Sequence, residues 1–133
     1  GHTDGDAVIY FPDLATVHTG DLVVWGKRTD GTVLTPFVDR RNGGSLVQWI
    51  TTLENLLKLE FDAAIPGHGP VLRKDDVRSF RDRLVTLRQR IADVVRSGVT
   101  KEEFGAKLKT DDLGWPFPQE RLDELWDELG VRR

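Results

Sequence analysis

The stretch "AAIPGHGPVL", residues 63–72, decides the fold of this chain. It places His68 between two glycines, which are themselves flanked by two prolines. The apolar run just before it, "FDAAIP" (61–66), predicts a short buried strand. The prolines restrict the backbone of the turn, and the glycines leave space around the imidazole because they carry no Cβ atom. His68 is therefore either a rigid turn residue or a ligand held at the end of a strand.

Two more segments place a polar side chain beside a predicted strand. His2 precedes the run "AVIYF" (7–11), and Asp21 interrupts the run "TVHTGDLVVW" (16–25). Histidine and aspartate are common metal ligands, and the ends of adjacent strands can bring them to one point. His18 lies in the same run as Asp21, but strand alternation places it on the opposite face, where it is predicted to pack.

Composition limits the classes of protein to consider. The chain has 133 residues, no cysteine, no methionine and a net charge of -3. The missing cysteine excludes disulfides and thiolate metal sites, and the acidic balance argues against nucleic acid as a partner. No apolar run is long enough for a bilayer, so no membrane partner is expected. Without a starting Met, the chain is expected to be processed or part of a longer protein, and cytoplasm and periplasm both stay open.

The chain is predicted to begin with strands and to end with helices. A hairpin of the first two strands is expected because only a short link separates them. The predicted strands are 7–11, 16–25, 32–38 and 61–66, and the predicted helices are 46–60, 74–98, 101–109 and 118–129. This order predicts an α/β (α+β) domain in which helices cover one face of the sheet and the other apolar face expects a further layer.

The motifs "HTDGD", "HTGD" and "PGHGP" occur in an order that resembles the C-terminal half of metallo-β-lactamase-fold metallohydrolases. The resemblance covers about residues 1–95. It implies half of an αββα sandwich, with a mostly antiparallel sheet, over residues 1–98, followed by a helical C-terminal extension over 99–133. The family's other half supplies an "HxHxDH" motif, which this sequence lacks.

The same resemblance implies a role for each of three residues. His2 resembles the ligand that completes one metal site, and His68 resembles the last ligand of a second site. Asp21 resembles the catalytic carboxylate that bridges the two metals and orients a hydroxide. A complete site of this kind holds two Zn²⁺ ions, and we expect partial or absent metal binding by this chain alone.

Three other polar residues are candidates for supporting roles. Asp39 and Asn42 belong to the loop "DRRNGG" (39–44), which in the resemblance lies at the pocket rim. They either shape access of the substrate or belong to a solvated loop. Asp4 either orients His2 from behind or takes part in a tight turn.

Three functions follow from these observations. The first is part of a zinc-dependent hydrolase, in which a metal-bound hydroxide attacks an ester, amide, lactone or phosphoester bond of a small-molecule substrate. The second is a non-catalytic assembly or oligomerisation module, whose apolar sheet face packs on the missing N-terminal half or on a second copy. The third is a nucleic-acid processing domain, which the acidic composition disfavours.

Overall fold

A computed structural model describes residues 1–130. The strands are short, and the helices are concentrated in the second half of the chain. The strands are β1 (Ile9–Phe11), β2 (Thr16–Gly20), β3 (Ala63–Pro66) and β4 (Leu72–Arg73), and the helices are α1 (Leu46–Leu56), α2 (Lys74–Arg96), α3 (Lys101–Lys107) and α4 (Gln119–Leu129). Single 3₁₀ turns occur at Pro12–Leu14, Arg40–Asn42 and Asp111–Leu113. The predicted mixed α/β architecture is confirmed.

The four strands form one sheet in the order β1-β2-β3-β4. The predicted hairpin is present, with Tyr10 opposite Val17 in an antiparallel pair. Strand β3 lies parallel to β2, with Val17 opposite Ala64, and β4 is antiparallel to β3. The sheet is therefore mostly antiparallel, as predicted. Its one parallel pair needs the long crossover that contains α1.

Two strand predictions are wrong in part. The run 16–25 stops being a strand at Gly20, which has a φ of +52° and a pairing irregularity against β3. Residues 32–38 form no strand and contribute a single bridge, between Val33 and Lys27. Pro36 lies within this segment and cannot donate a hydrogen bond to a sheet. The apolar residues of both loops are buried or half-buried, because the loops fold over the core.

The helix predictions need shorter boundaries. Helix α1 ends at Leu56 instead of 60 because the chain turns back through hydrogen bonds from Lys58 to Asn55 and from Leu59 to Leu56. Helices α2 and α3 each end two residues earlier than predicted. Strand β4 was not predicted, since two residues are too few for a periodic pattern.

The core contains a cluster of aromatic side chains around Phe80. The ring centroid of Phe80 lies 5.8 Å from that of Trp49, 5.9 Å from Trp115 and 6.4 Å from Trp25, in edge-to-face contacts. Trp115 belongs to the C-terminal extension, so the extension as far as residue 130 shares its core with the sheet and with α1 and α2.

The opposite face of the sheet carries exposed apolar side chains. Ile9, Phe11 and Ile65 are 57%, 42% and 37% exposed. Ile9 and Ile65 both pair with His18, so the three lie in one row across the sheet. The neighbouring Val17 and Ala64 point to the covered side and are fully buried. The predicted unpaired apolar face is therefore present in residues 1–130.

A carboxylate from α4 caps the start of α1. Glu128 accepts hydrogen bonds from Ser45 Oγ at 2.7 Å, from Leu46 N at 2.9 Å and from Val47 N at 3.4 Å. The first backbone N–H groups of a helix have no partner within the helix, and a negative charge there is stabilising. The extension therefore holds the point at which α1 begins.

The outer face of α2 carries paired charges. Four of its six arginines form ion pairs with acidic neighbours, namely Arg78–Asp75, Arg81–Asp82, Arg90–Asp112 and Arg96–Asp93. Hydrogen bonds from Arg90 hold the pKa of Asp112 below its ordinary value. The helix therefore does not present an uncompensated basic stripe. Across residues 1–130, no helix combines the length and the apolar character needed to cross a membrane.

Candidate metal centre

Asp21 and His68 lie where two neighbouring parallel strands end. Asp21 directly follows β2, and His68 comes two residues after β3. The two strand ends are joined by a hydrogen bond from Gly67 N to Gly20 O at 2.8 Å. Because both strands run in the same direction, their carboxyl ends meet at one edge of the sheet, where α/β folds commonly bind ligands.

His2 reaches this edge through the loop that precedes α1. Three backbone hydrogen bonds hold residues 1–4 against the loop: Asp39 N to His2 O at 2.9 Å, Asp4 N to Asn42 O at 2.9 Å, and Ser45 N to Gly1 O at 3.0 Å. The loop between β2 and α1 therefore holds the segment that carries His2 in place at the site.

The three predicted residues come together around the carboxylate of Asp21. His2 Nε2 lies 3.8 Å from Asp21 Oδ2, and His68 Nε2 lies 3.6 Å from Asp21 Oδ1. Both distances are too long for hydrogen bonds. Two nitrogen or oxygen ligands of one tetrahedral zinc ion lie about 3.3–3.5 Å apart. The distance from each histidine nitrogen to its Asp21 oxygen is therefore slightly longer than the distance between two ligands of one zinc ion.

The orientation of His2 is set by its other ring nitrogen. His2 Nδ1 donates a hydrogen bond to the backbone oxygen of Phe37 at 2.6 Å. A carbonyl oxygen only accepts, so Nδ1 carries the proton and Nε2 of the neutral ring has its lone pair available. Metal-binding histidines commonly have this arrangement. The ring is held further by edge-to-face contact with Phe37, at a centroid distance of 5.3 Å.

A cavity of about 440 Å³ opens in front of the three residues. Its volume is within the range of small-molecule sites. Besides His2, Asp21 and His68, it is lined by Phe37 and by two arginines, Arg28 and Arg121. Neither arginine was predicted from the sequence, because Arg28 lies in a polar turn and Arg121 lies in the C-terminal extension, far from any recognised motif.

Solved structures share this arrangement of strands and helices. VMB-1, a metallo-β-lactamase, matches 65% of this chain with a TM-score of 0.51 and 15% identity, over 37% of its own length. The stereoselective inverting sec-alkylsulfatase Pisa1 from Pseudomonas sp. matches 94% of this chain with a TM-score of 0.63 and 18% identity, over 22% of its own length. A double mutant of the same sulfatase matches equally well.

This chain has part of the metallo-β-lactamase fold. It spans less than half the length of each of these solved structures. No protein-family profile and no curated protein matches its sequence. The fold is therefore assigned from similarity of backbone structure and not from similarity of sequence.

The residues of this partial metallo-β-lactamase fold can supply part of a metal site. The donor atoms are imidazole nitrogens and carboxylate oxygens, which suit zinc. In residues 1–130, however, no three His, Asp or Glu side chains surround a single point closely enough to hold an ion. Because the two histidines face opposite oxygens of Asp21, each ion would obtain one nitrogen and one oxygen from this chain. A four-coordinate ion would need further ligands.

Gly67 leaves the space that the Asp21 carboxylate occupies. A Cβ atom on Gly67 would overlap Asp21 Oδ1 and would lie 3.2 Å from the carbonyl carbon of Gly20. We predict that Gly67→Ala displaces the carboxylate and weakens zinc binding about tenfold or more, while the circular dichroism spectrum is unchanged. Gly5→Ala is the matched control, since the nearest atom to its Cβ would be Thr3 Oγ1 at 3.9 Å. Equal zinc affinity in both variants would contradict the prediction.

The three supporting candidates lie around the backbone that carries His2. Asp39 accepts hydrogen bonds from Asn42 N at 3.2 Å and from Asn42 Nδ2 at 2.7 Å, and the side-chain bond holds the pKa of Asp39 below its ordinary value. Asp4 packs beside Gly43: a Cβ atom on Gly43 would lie 2.8 Å from the carboxylate of Asp4. Their side chains do not line the 440 Å³ cavity. Roles in substrate access or in orienting His2 stay predictions.

Proposed function

We propose that this chain is the metal-binding C-terminal part of a zinc-dependent hydrolase that acts on an ester, amide, lactone or phosphoester bond of a small molecule. One observation carries the proposal: the two oxygens of Asp21, which follows β2, face the Nε2 atom of His2 and that of His68, which follows the neighbouring strand β3. The likeness in fold to a β-lactamase and a sulfatase supports a hydrolytic reaction.

Each residue would have a distinct task. His2, with Nδ1 committed to Phe37 O, presents Nε2 in a fixed direction. Asp21 provides negative charge and two oxygens, so that one oxygen can bind metal beside His2 while the other binds metal beside His68. His68 is 55% exposed and faces the cavity that would admit the substrate. When bound, zinc ions would supply Lewis acidity and a water-derived nucleophile at neutral pH.

Zinc binding by the purified chain tests this proposal. We predict weak binding that is lost on acidification, since protons compete with zinc for the imidazole nitrogens. His2→Ala and His68→Ala should each weaken binding about tenfold or more, measured by competition with a chromophoric chelator. The chain provides a matched control in His18, which lies in the row of the open sheet face with Ile9 and Ile65.

The outcomes of this titration separate clearly. If His18→Ala weakens zinc binding as much as His2→Ala and His68→Ala do, zinc binds nonspecifically to any histidine of the chain, and the proposed site is wrong. The hydrolase itself is tested with the parent protein on a panel of small esters and amides. Its activity should be abolished by EDTA and restored by zinc.

The open sheet face favours a second candidate function, an assembly module. Ile9, Phe11 and Ile65 form an exposed apolar surface of the kind that is usually covered by a second layer. We propose that the missing half of the sandwich covers it, with a second copy of this chain as the alternative occupant. Light scattering at increasing concentration tests the alternative: if a second copy covers the face, the chain self-associates, and Ile9→Lys and Ile65→Lys remove the association. A monomer at high concentration would exclude the second copy.

A further inference from the structure

Arg121 is held at the wall of the cavity by Phe37. Its guanidinium carbon lies 3.3 Å from the centroid of the Phe37 ring, and the backbone oxygen of the same Phe37 holds His2. Phe37 therefore contacts Arg121 through its ring and His2 through its backbone oxygen. This contact holds the guanidinium against the ring that also packs on His2.

Arg121 keeps donors for another partner. Only Nη1 is engaged, with the two oxygens of Glu124 at 3.2 Å and 3.4 Å. A guanidinium has five N–H donors in a planar fork, so Nε and Nη2 remain, and neither makes a hydrogen bond within residues 1–130. The side chain is 28% exposed and lines the cavity.

Arg28 lines the same cavity from a different part of the chain. It lies in the turn that the bridge between Lys27 and Val33 closes. Its side chain forms no ion pair with the described acidic residues within 4 Å. Arg28 also lines a second cavity of about 440 Å³, together with His68, Lys27 and Asp30. Arg28 therefore lies beside His68 in both cavities, and the carboxylate of Asp30 is among the lining residues of the second.

The charges around the cavity are unbalanced toward positive. Among the described lining residues the one carboxylate is Asp21, which the proposed function assigns to metal ions, and apart from the two arginines and the two histidines the others carry no charge. Arg28 then has no negative partner among the other lining residues, and Arg121, whose Nη1 is paired with Glu124 outside the cavity, still offers Nε and Nη2. A single guanidinium can bind a planar or tetrahedral oxyanion through two parallel hydrogen bonds, which a lysine ammonium cannot form.

We propose that Arg28 and Arg121 bind an oxyanion group of the substrate, so that the site selects small hydrolysable molecules that carry a sulfate, phosphate or carboxylate. The proposal rests on the proposed function for the reaction, but the recognition of the anion depends on the arginines alone. It also assigns the C-terminal extension a part in choosing the substrate, through Arg121.

The test uses the metal-free chain in EDTA, titrated with phenyl sulfate, phenyl phosphate and benzoate, and with benzamide as the neutral analogue of benzoate. Binding is followed by NMR shifts of the amides around Arg28 and Arg121. We expect the anions to bind more tightly than benzamide and to weaken with added salt. The tightest of the three anions identifies the oxyanion.

Arg28→Gln and Arg121→Gln should each weaken anion binding about fivefold to tenfold, and the double variant further. Arg88→Gln, which changes an exposed arginine on α2, is the matched control and should bind as the original chain does. Should Arg121→Gln unfold, Arg121→Lys keeps the charge and loses the fork, and Arg28→Gln changes an exposed side chain. Anion affinity that is the same in Arg28→Gln, Arg121→Lys and Arg88→Gln would overturn the proposal.

The same titration distinguishes this inference from the proposed function. Asp21→Ala should lose zinc binding and retain anion binding, whereas Arg28→Gln should lose anion binding and retain zinc binding. If zinc fails to bind the original chain while the arginine variants still lose the anion, only the metal proposal fails. If zinc binds and the arginine variants keep the anion, only the present inference fails.

Discussion

Asp21→Ala will lower the zinc affinity of the chain about a hundredfold or more. The substitution removes the carboxylate that, among residues 1–130, faces both His2 and His68, at 3.8 Å and 3.6 Å. Two neutral imidazoles would then remain without the negative charge that zinc and its site require. Zinc competition with a chromophoric chelator measures the loss. In the parent protein the same change should abolish hydrolysis.

The effect of Asp21→Ala should be confined to the site. Asp21 forms no hydrogen bond through its side chain within the described residues and is 37% exposed, so the thermal midpoint of the metal-free chain should change little. Asp13→Ala is the matched control, because Asp13 is an exposed acid in the turn Pro12–Leu14, at the opposite end of β2 from Asp21. Full zinc affinity in Asp21→Ala, or an equal loss in Asp13→Ala, would contradict the assignment of Asp21.

Phe80→Ala will destabilise the fold by about 3–5 kcal/mol, the usual range for removing a buried phenyl ring. Phe80 is fully buried and contacts Trp25, Trp49 and Trp115. A protein of this size has a free energy of unfolding of about 5–15 kcal/mol, so the loss is a large share of the total. Urea denaturation followed by tryptophan fluorescence measures the change.

Val85→Ala on the same helix is the control for Phe80→Ala. Val85 is 43% exposed, so its replacement should change the free energy of unfolding by less than about 1 kcal/mol. Because Trp115 contacts Phe80, the extension should lose protection from hydrogen exchange in Phe80→Ala. An extension that stays protected while the sheet loosens would show that it does not depend on the shared core.

The long helices could be predicted from the sequence because their apolar patterns repeat over several turns. Helix α2 shows its apolar stripe over many turns, and its start at residue 74 was predicted correctly. Residues 32–38 contain the same kinds of side chains as a strand, yet they fold over the core as a loop around Pro36. Local composition cannot distinguish these outcomes, since tertiary packing decides between them.

The motifs of His2, Asp21 and His68 predicted that the three residues lie close together, and the structure brings them together, while their roles as ligands stay predictions. The partners that orient them could not be predicted. Phe37 orients His2 through its backbone oxygen, which carries no signal in the sequence, and Arg121 reaches the cavity from the far end of the chain. Contacts between distant segments depend on how helices pack, and a single sequence has no periodic pattern that reports them.

The capping of α1 by Glu128 has a consequence for the order in which the site is built during synthesis. Glu128 and Ser45 lie 83 residues apart, and chains emerge from the ribosome with the amino end first. The loop that holds His2 ends at Ser45, so its anchor is completed only after residue 128 has been made. A chain that stops before α4 would therefore leave the first histidine loosely held, although it contains all three predicted ligands.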